Sequence, residues 1–172
     1  IGIDYVVMYE CVTHSRESCE IMQQCNVRCF ESYNRYPELF IPFVYAHPNL
    51  GDAAIDELKR GFDQGAQGIK LEVANQITDK CVEPVIEMAI ERDVPLVQHT
   101  WHKITGNLPH ETDPVHCAEI GRRYPELKLV MAHIGGDNRW GMRAIRDVPS
   151  IYTDCSGSIS DYGSIEETVR HL

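Results

Sequence analysis

The chain has 172 residues, of which 43% are hydrophobic and 24% are charged, and this composition is sufficient for one globular domain with a packed core. Its net charge of -10 argues against nucleic acid as a partner, because an acidic surface repels the phosphate backbone. No apolar run approaches the ~18 residues of a membrane-spanning helix, so we expect no association with a membrane.

The chain has seven cysteines, and no two of them form a CxxC pair. Cys25 and Cys29 are four residues apart, but no adjacent histidine completes a zinc site. Reduced thiols in a cytoplasmic protein are therefore the simplest interpretation of this pattern.

Strand-like and helix-like segments alternate along the chain. The strand-like segments are short apolar runs, at Ile3–Tyr9, Phe40–Ala46, Gly68–Glu72, Pro95–Thr100, Leu127–His133 and Ser150–Asp154. The helix-like segments follow them in turn, at Ser15–Tyr36, Asp52–Gln64, Asp79–Arg92, Asp113–Tyr124, Trp140–Asp147 and Ile165–Leu172. This alternation predicts parallel strands joined by helical crossovers, in a single α/β domain over residues 1–172.

Two architectures fit this order of elements. An open doubly wound sheet lacks support as a dinucleotide-binding fold, because the chain contains no GxGxxG motif. A (β/α)8 TIM barrel typically needs ~250 residues, so this chain would supply only part of one. We favour the incomplete barrel, with strands 2–7 present and one unit missing from each end.

Two of the strand-like runs end in a histidine, His99 in one and His133 in the other. The carboxyl ends of parallel barrel strands meet at one mouth of the barrel, which is where catalytic residues lie. A single histidine of this kind is as readily explained by a structural role as by a functional one. Two at equivalent strand ends indicate a metal or proton-transfer site.

Other ionisable residues also lie at strand ends. Lys70 and Glu72 share one face of their strand, so we expect them to point into the barrel, either as a buried ion pair or as site residues. Asp154 and His47 also follow strands, and each is a candidate substrate contact or a residue that stabilises its loop.

These residues resemble the amidohydrolase-related metal-dependent hydrolases. The closest resemblance is to the branch that includes aminocarboxymuconate-semialdehyde decarboxylase, related aromatic-acid decarboxylases and lactone hydrolases. The segments that carry it occur in the family's order, at Gly68–Leu71, Pro95–Thr100, Asp113–Pro114, Tyr124–Gly136 and Ile151–Gly157. The His-Thr pair and the Ala-His-x-Gly-Gly stretch are the most specific of them.

The resemblance implies a metallo-dependent TIM-barrel enzyme with a divalent metal, zinc being the expected ion and manganese the alternative. It implies that His99 binds the metal, and that His133 acts on the bound water or substrate or holds a second metal. Lys70 would hold a substrate carboxylate or, if carbamylated, bridge two metals. The implied reaction is hydrolysis or non-oxidative decarboxylation of a small carboxylated substrate, such as an aromatic or cyclic acid.

Three residues in the predicted loops after the strands are further candidates for substrate binding. Trp101 follows the first histidine, whereas Arg139 and Trp140 follow the Gly-Gly turn after the second. A guanidinium suits a carboxylate, so Arg139 is the first choice for recognition of the substrate.

The chain departs from the family pattern at its metal ligands. The His-x-His of the first strand and the Asp of the eighth are absent from residues 1–172, so we expect them to lie outside this range. Since catalytic zinc needs three protein ligands, these residues alone should bind metal poorly. A metal-independent lactonase of the same fold and a non-catalytic ligand-binding barrel remain alternatives, and a homodimer is left open.

Overall fold

The computed structural model describes residues 2–12, 18–157 and 163–172. Within these residues, six parallel strands form one sheet in chain order, namely β1 (Val6–Met8), β2 (Phe40–Ala46), β3 (Gly68–Leu71), β4 (Leu96–Gln98), β5 (Leu129–Met131) and β6 (Ile151–Thr153). The helices of the same residues are α1 (Cys19–Arg35), α2 (Asp52–Asp63), α3 (Glu83–Glu91), α4 (Pro114–Arg123), α5 (Asn138–Ile145) and α6 (Ser164–His171). The sheet curls into half of a TIM barrel, which confirms the predicted fold class.

Alternation along the strands separates two sides of the sheet. Ile69 and Leu71 on β3 join Leu96 on β4 in the main hydrophobic cluster, which lies between the sheet and the helices. Lys70 lies between them in sequence and pairs in register with Val97, so its side chain belongs to the opposite, interior face of the curled sheet. The pattern read from the sequence therefore placed the charged residues of β3 on the correct face.

Helix α4 begins as its sequence predicts. The Asp113 carboxylate accepts a hydrogen bond from the backbone N–H of Val115 at 3.2 Å, and Pro114 occupies the first turn. The backbone N–H of Asp113 in turn donates to His116 Nδ1 at 3.1 Å. This reciprocal cap fixes the point at which the loop after β4 becomes a helix.

Among the strands of the described residues, β2 alone has the predicted bounds, and the other five are shorter than predicted, β1 and β5 most of all. The first strand covers only Val6–Met8, because only these residues pair with β2. The fifth ends at Met131 rather than at His133, because the chain turns into a short 3-10 helix over Ala132–Gly135. The predicted start of the first helix at Ser15 lies outside the described residues.

No helix in the described part of the chain is both long and apolar enough to cross a membrane.

Helix α5 packs very closely against the turn that follows β5. A Cβ atom on Gly141 would lie 2.0 Å from the carbonyl oxygen of Ile134. Gly141→Ala should therefore lower the free energy of unfolding by about 2 kcal/mol or more, despite the better helix propensity of alanine. Chemical denaturation measures this, with Arg143→Ala as the control, since it places an alanine at an exposed position of the same helix. Equal stability of the two variants would contradict the close packing.

Candidate active site

The two strand-end histidines meet at the mouth of the half-barrel. Strands β4 and β5 are neighbours, with Gln98 paired to Met131 just before the two histidines. His99 Nδ1 and His133 Nε2 lie 3.3 Å apart, and the ring planes are inclined by 68°. The structure thus brings together the two residues from which the sequence predicted a site.

His133 occupies an unusual backbone conformation. Its φ of 63° and that of Ile134, 47°, both lie in the left-handed region, which is unfavourable for residues other than glycine. The backbone N–H of His133 donates to Asp154 Oδ1 at 2.9 Å, and that of Ile134 donates to the Asp154 carbonyl oxygen at 3.0 Å. Such strain is typical of functional sites and persists only where neighbouring bonds hold it.

His99 is oriented by a buried carboxylate. Its Nε2 lies 3.3 Å from Glu111 Oε1, and Glu111 is only 2% exposed. Burial raises the pKa of Glu111, but hydrogen bonds from the Lys103 ammonium and the Leu108 backbone N–H hold it below its usual range. Burial also lowers the pKa of His99, and each of its ring nitrogens faces a carboxylate, Nε2 that of Glu111 and Nδ1 that of Glu72 at 3.2 Å.

Lys70 and Glu72 form the buried ion pair that the sequence left open. Lys70 Nζ lies 2.9 Å from Glu72 Oε2 and donates to the carbonyl oxygen of Leu71 at 2.7 Å. Burial raises the pKa of Glu72. The Lys70 ammonium, and to a smaller extent His99, outweigh this effect and hold the pKa of Glu72 below its usual range. Because Glu72 Oε1 lies 3.2 Å from His99 Nδ1, the pair extends the histidine site into the barrel interior.

Two residues of the loop after β1 contact the Lys70–Glu72 pair. The Cys11 thiol donates to Glu72 Oε2 at 3.3 Å, and the Tyr9 ring lies 5.3 Å from Lys70 Nζ. Burial is the main cause that raises the pKa of each of these groups to about 12, and nearby negative charges add to it. Both therefore stay protonated at neutral pH.

Trp101 covers both histidines. Its ring stacks against His99, with centroids 6.2 Å apart and planes inclined by 12°, and lies 5.3 Å from the His133 ring. A half-buried indole in this position forms an apolar wall of the site.

A second cluster lies next to Trp101. His102 Nδ1 bonds to Asp113 Oδ2 at 2.6 Å, and Trp140 Nε1 donates to Asp113 Oδ1 at 3.1 Å. The His102 and Trp140 rings stack at 4.7 Å. Burial raises the pKa of Asp113, but the hydrogen bonds from His102 and Trp140 hold it below its usual range.

The remaining predicted residues lie in different surroundings. Arg139 is 73% exposed and its ion pair runs to Glu167 on α6, 3.5 Å away. Among the described residues it makes no hydrogen bond or ion pair to His99 or His133, so its role in substrate recognition stays a prediction. His47 is buried just before the short 3-10 helix that follows β2, and its role also stays a prediction.

The family model for amidohydrolases matches residues 10–171. The chain belongs to the amidohydrolase family. No curated protein matches it. Family membership confirms the resemblance inferred from the strand-end motifs.

Solved structures share the fold with this amidohydrolase at low sequence identity. An uncharacterised TIM-barrel protein of Bordetella bronchiseptica aligns with a TM-score of 0.73 at 15% identity, over 98% of this chain and 60% of its own. A 2,6-dihydroxybenzoate decarboxylase from Rhizobium aligns with a TM-score of 0.65 at 15% identity, over 93% of this chain and 65% of its own. A manganese-bound 5-carboxyvanillate decarboxylase of Novosphingobium aromaticivorans aligns with a TM-score of 0.63 at 19% identity, over 78% of this chain and 47% of its own. The chain thus spans 60% of the first of these structures.

Two histidine nitrogens of the site fit a divalent cation. A tetrahedral zinc ion, with nitrogens ~2.0–2.1 Å from the metal, separates two such ligands by about 3.3 Å. His99 Nδ1 and His133 Nε2 have this separation. Among residues 2–12, 18–157 and 163–172, however, no group of three or more His, Cys, Asp or Glu could hold a metal ion. The described residues therefore supply two donors and not a complete ligand set.

Sequence reasoning missed Glu111, which contacts His99 through a folded loop. Thr100 and Thr112 form an isolated parallel bridge, and the backbone N–H of Trp101 donates to the carbonyl oxygen of Thr112 at 2.9 Å. The loop between them closes on itself and returns Glu111 to the strand end. An acidic residue just before the Asp-Pro cap of α4 was the only signal in the sequence.

The Asp113 cluster gives a pH-dependent prediction. Because the folded-state pKa of Asp113 is lowered, its contribution to stability is present above about pH 4 and is lost as the pH falls through the folded pKa. Asp113→Asn should therefore lower the free energy of unfolding at pH 7, and its difference from the wild type should shrink below about pH 4.

Urea denaturation at several pH values from 7 to 3 measures this difference. Asp56→Asn is the control, because Asp56 lies exposed on α2. A difference for Asp113→Asn that stays constant over the whole pH range would contradict the assignment.

Proposed function

We propose that the protein is a metal-dependent hydrolase or non-oxidative decarboxylase that acts on a small carboxylated substrate. The single observation that carries this proposal is the 3.3 Å approach of His99 Nδ1 and His133 Nε2 at the barrel mouth. Membership of the amidohydrolase family supports it, and so do the two aromatic-acid decarboxylases among the structural neighbours.

His99 would hold the cation through Nδ1, because this is the nitrogen that faces His133 Nε2. Zinc is our first choice, because imidazole nitrogens suit it, and manganese is the alternative that a structural neighbour carries. The bound cation would act as a Lewis acid that polarises an oxygen of the substrate or activates water.

His133 would act at the reacting atoms. Its Nε2 faces the same point as His99 Nδ1, so it can share the cation or take and return a proton there. Glu72 and Lys70 would keep the charge balance around His99 fixed during this transfer, because they are buried and paired with each other.

Trp101 favours a planar substrate. Its ring lies against both histidines and excludes water from one side of them. An aromatic or unsaturated cyclic acid could stack on such a ring, whereas an extended aliphatic acid would gain less from it.

The two histidines should respond differently to substitution. We expect His99→Ala to lower both metal content and turnover, because it removes a ligand. His133→Ala should lower kcat by about 100-fold or more while metal content falls much less, because it removes a proton carrier. Metal analysis of the purified protein and assays with 2,6-dihydroxybenzoate, 5-carboxyvanillate and a series of lactones measure these effects.

His171→Ala is the matched control, because His171 is exposed on α6 and its Nδ1 bonds to the Glu167 carbonyl oxygen of the same helix. Full activity of a metal-free preparation would overturn the metal-dependent proposal and favour a metal-independent lactonase. Equal loss of metal in His99→Ala and His133→Ala would show that both histidines are ligands.

A further inference from the structure

Ser156 connects His133 to the carboxylate of Asp154. Ser156 Oγ lies 2.9 Å from His133 Nδ1 and 2.6 Å from Asp154 Oδ1. The same carboxylate oxygen also accepts the backbone N–H groups of His133 and Ser156, at 2.9 and 3.0 Å. A closed hydrogen-bonded loop thus joins the end of β6 to the turn after β5.

The direction of each bond in this loop follows from its chemistry. A carboxylate oxygen can only accept, so the Ser156 hydroxyl donates its proton to Asp154. The Ser156 oxygen is then an acceptor towards the ring, and His133 Nδ1 must be the donor. In a neutral imidazole, this leaves Nε2 without a proton and with its lone pair available.

The lone pair on His133 Nε2 faces His99 Nδ1 at 3.3 Å. His99 Nδ1 also lies 3.2 Å from Glu72 Oε1, so a proton on Nδ1 would point towards one carboxylate oxygen and one imidazole lone pair. Either that proton or a bound cation would offset the repulsion between these acceptors. The Ser156 and Asp154 bonds therefore prepare His133 Nε2 to accept a proton or a cation.

Among the described residues, little room remains around His133 Nδ1 for a partner other than Ser156. A Cβ atom on Gly157 would lie 2.7 Å from this nitrogen, so the backbone after Ser156 closes over the ring. The Ser156 hydroxyl is consequently the group that decides which ring nitrogen of His133 carries the proton.

We propose that Ser156 is a positioning residue which, through Asp154, fixes His133 in the Nδ1–H form and so leaves Nε2 free for the substrate proton or the cation. This inference rests on the proposed function for its consequence in turnover, although the protonation pattern can be measured without any activity. Substitution of a group that orients a metal ligand or proton carrier typically lowers activity or metal affinity by ~10–100-fold.

Nitrogen-15 NMR of the metal-free protein, labelled at histidine, tests the proposal directly. The spectra are recorded at about pH 8, above the ~6.5 at which a free imidazole titrates, and protonated and unprotonated ring nitrogens give well-separated signals. His133→Gln assigns the signals of His133. We expect a protonated Nδ1 in the wild type, a mixture of both forms in Ser156→Ala, and recovery of the wild-type pattern in Ser156→Thr, which keeps the hydroxyl.

Two further variants separate a positioning role from a general structural one. Ser156 is exposed, so Ser156→Ala should fold normally. Ser150→Ala is the control, because it removes a hydroxyl just before β6 that donates to the Gly121 carbonyl oxygen. Ser150→Ala should leave the His133 signals unchanged. In assays, Ser156→Ala should lower kcat by roughly 10-fold with little change in KM, and Ser156→Thr should restore most of it.

The outcomes distinguish this inference from the proposed function. A protonated Nδ1 that persists in Ser156→Ala would overturn the positioning role, whatever the activity. Absence of both metal binding and turnover in the full-length wild type, with the ligands expected outside residues 1–172, would overturn the proposed function, while a shift of the His133 signals confined to Ser156→Ala would still support the positioning role.

Discussion

The site depends on the Asp154 carboxylate more than on any other single group. One of its oxygens accepts three hydrogen bonds, from the His133 backbone and from both the backbone and the hydroxyl of Ser156. A non-glycine residue in the left-handed region costs on the order of 1–3 kcal/mol, and two such residues follow each other at His133 and Ile134. Without a fixed acceptor at the end of β6, this turn would relax and His133 would leave His99.

The sequence contained enough information for the fold and for half of the site. Alternating strands and helices predicted the parallel sheet, and apolar runs ending in histidine predicted that His99 and His133 meet. It did not predict that β5 ends two residues before His133, because nothing in a Met-Ala-His-Ile stretch indicates positive φ angles. Nor did it predict Glu111, whose contact with His99, twelve positions away in the sequence, depends on how the loop between Thr100 and Thr112 closes.

The charges buried behind the histidines constrain the chemistry at the barrel mouth. A buried ion pair contributes little net stability, since desolvation offsets much of the attraction, so stability alone does not account for Lys70 and Glu72. Glu72 lies 3.2 Å from His99 Nδ1 and opposes the effect of burial on this ring. A negative charge at this distance favours a cation at the mouth, and Lys70 limits how strongly it does so.

The two histidines are held by different parts of the fold, and this difference separates their expected behaviour. His99 is held by Glu111 from the loop of its own strand, whereas His133 is held by Asp154 from the next strand, β6. Thr153 Oγ on β6 donates to the Met131 carbonyl oxygen at 2.7 Å, beside the His133 turn. Loss of the β6 contacts would therefore displace His133, whereas the contact of His99 with Glu111 would remain. The two proposed roles, metal binding for His99 and proton transfer for His133, are thus supported by separate parts of the fold.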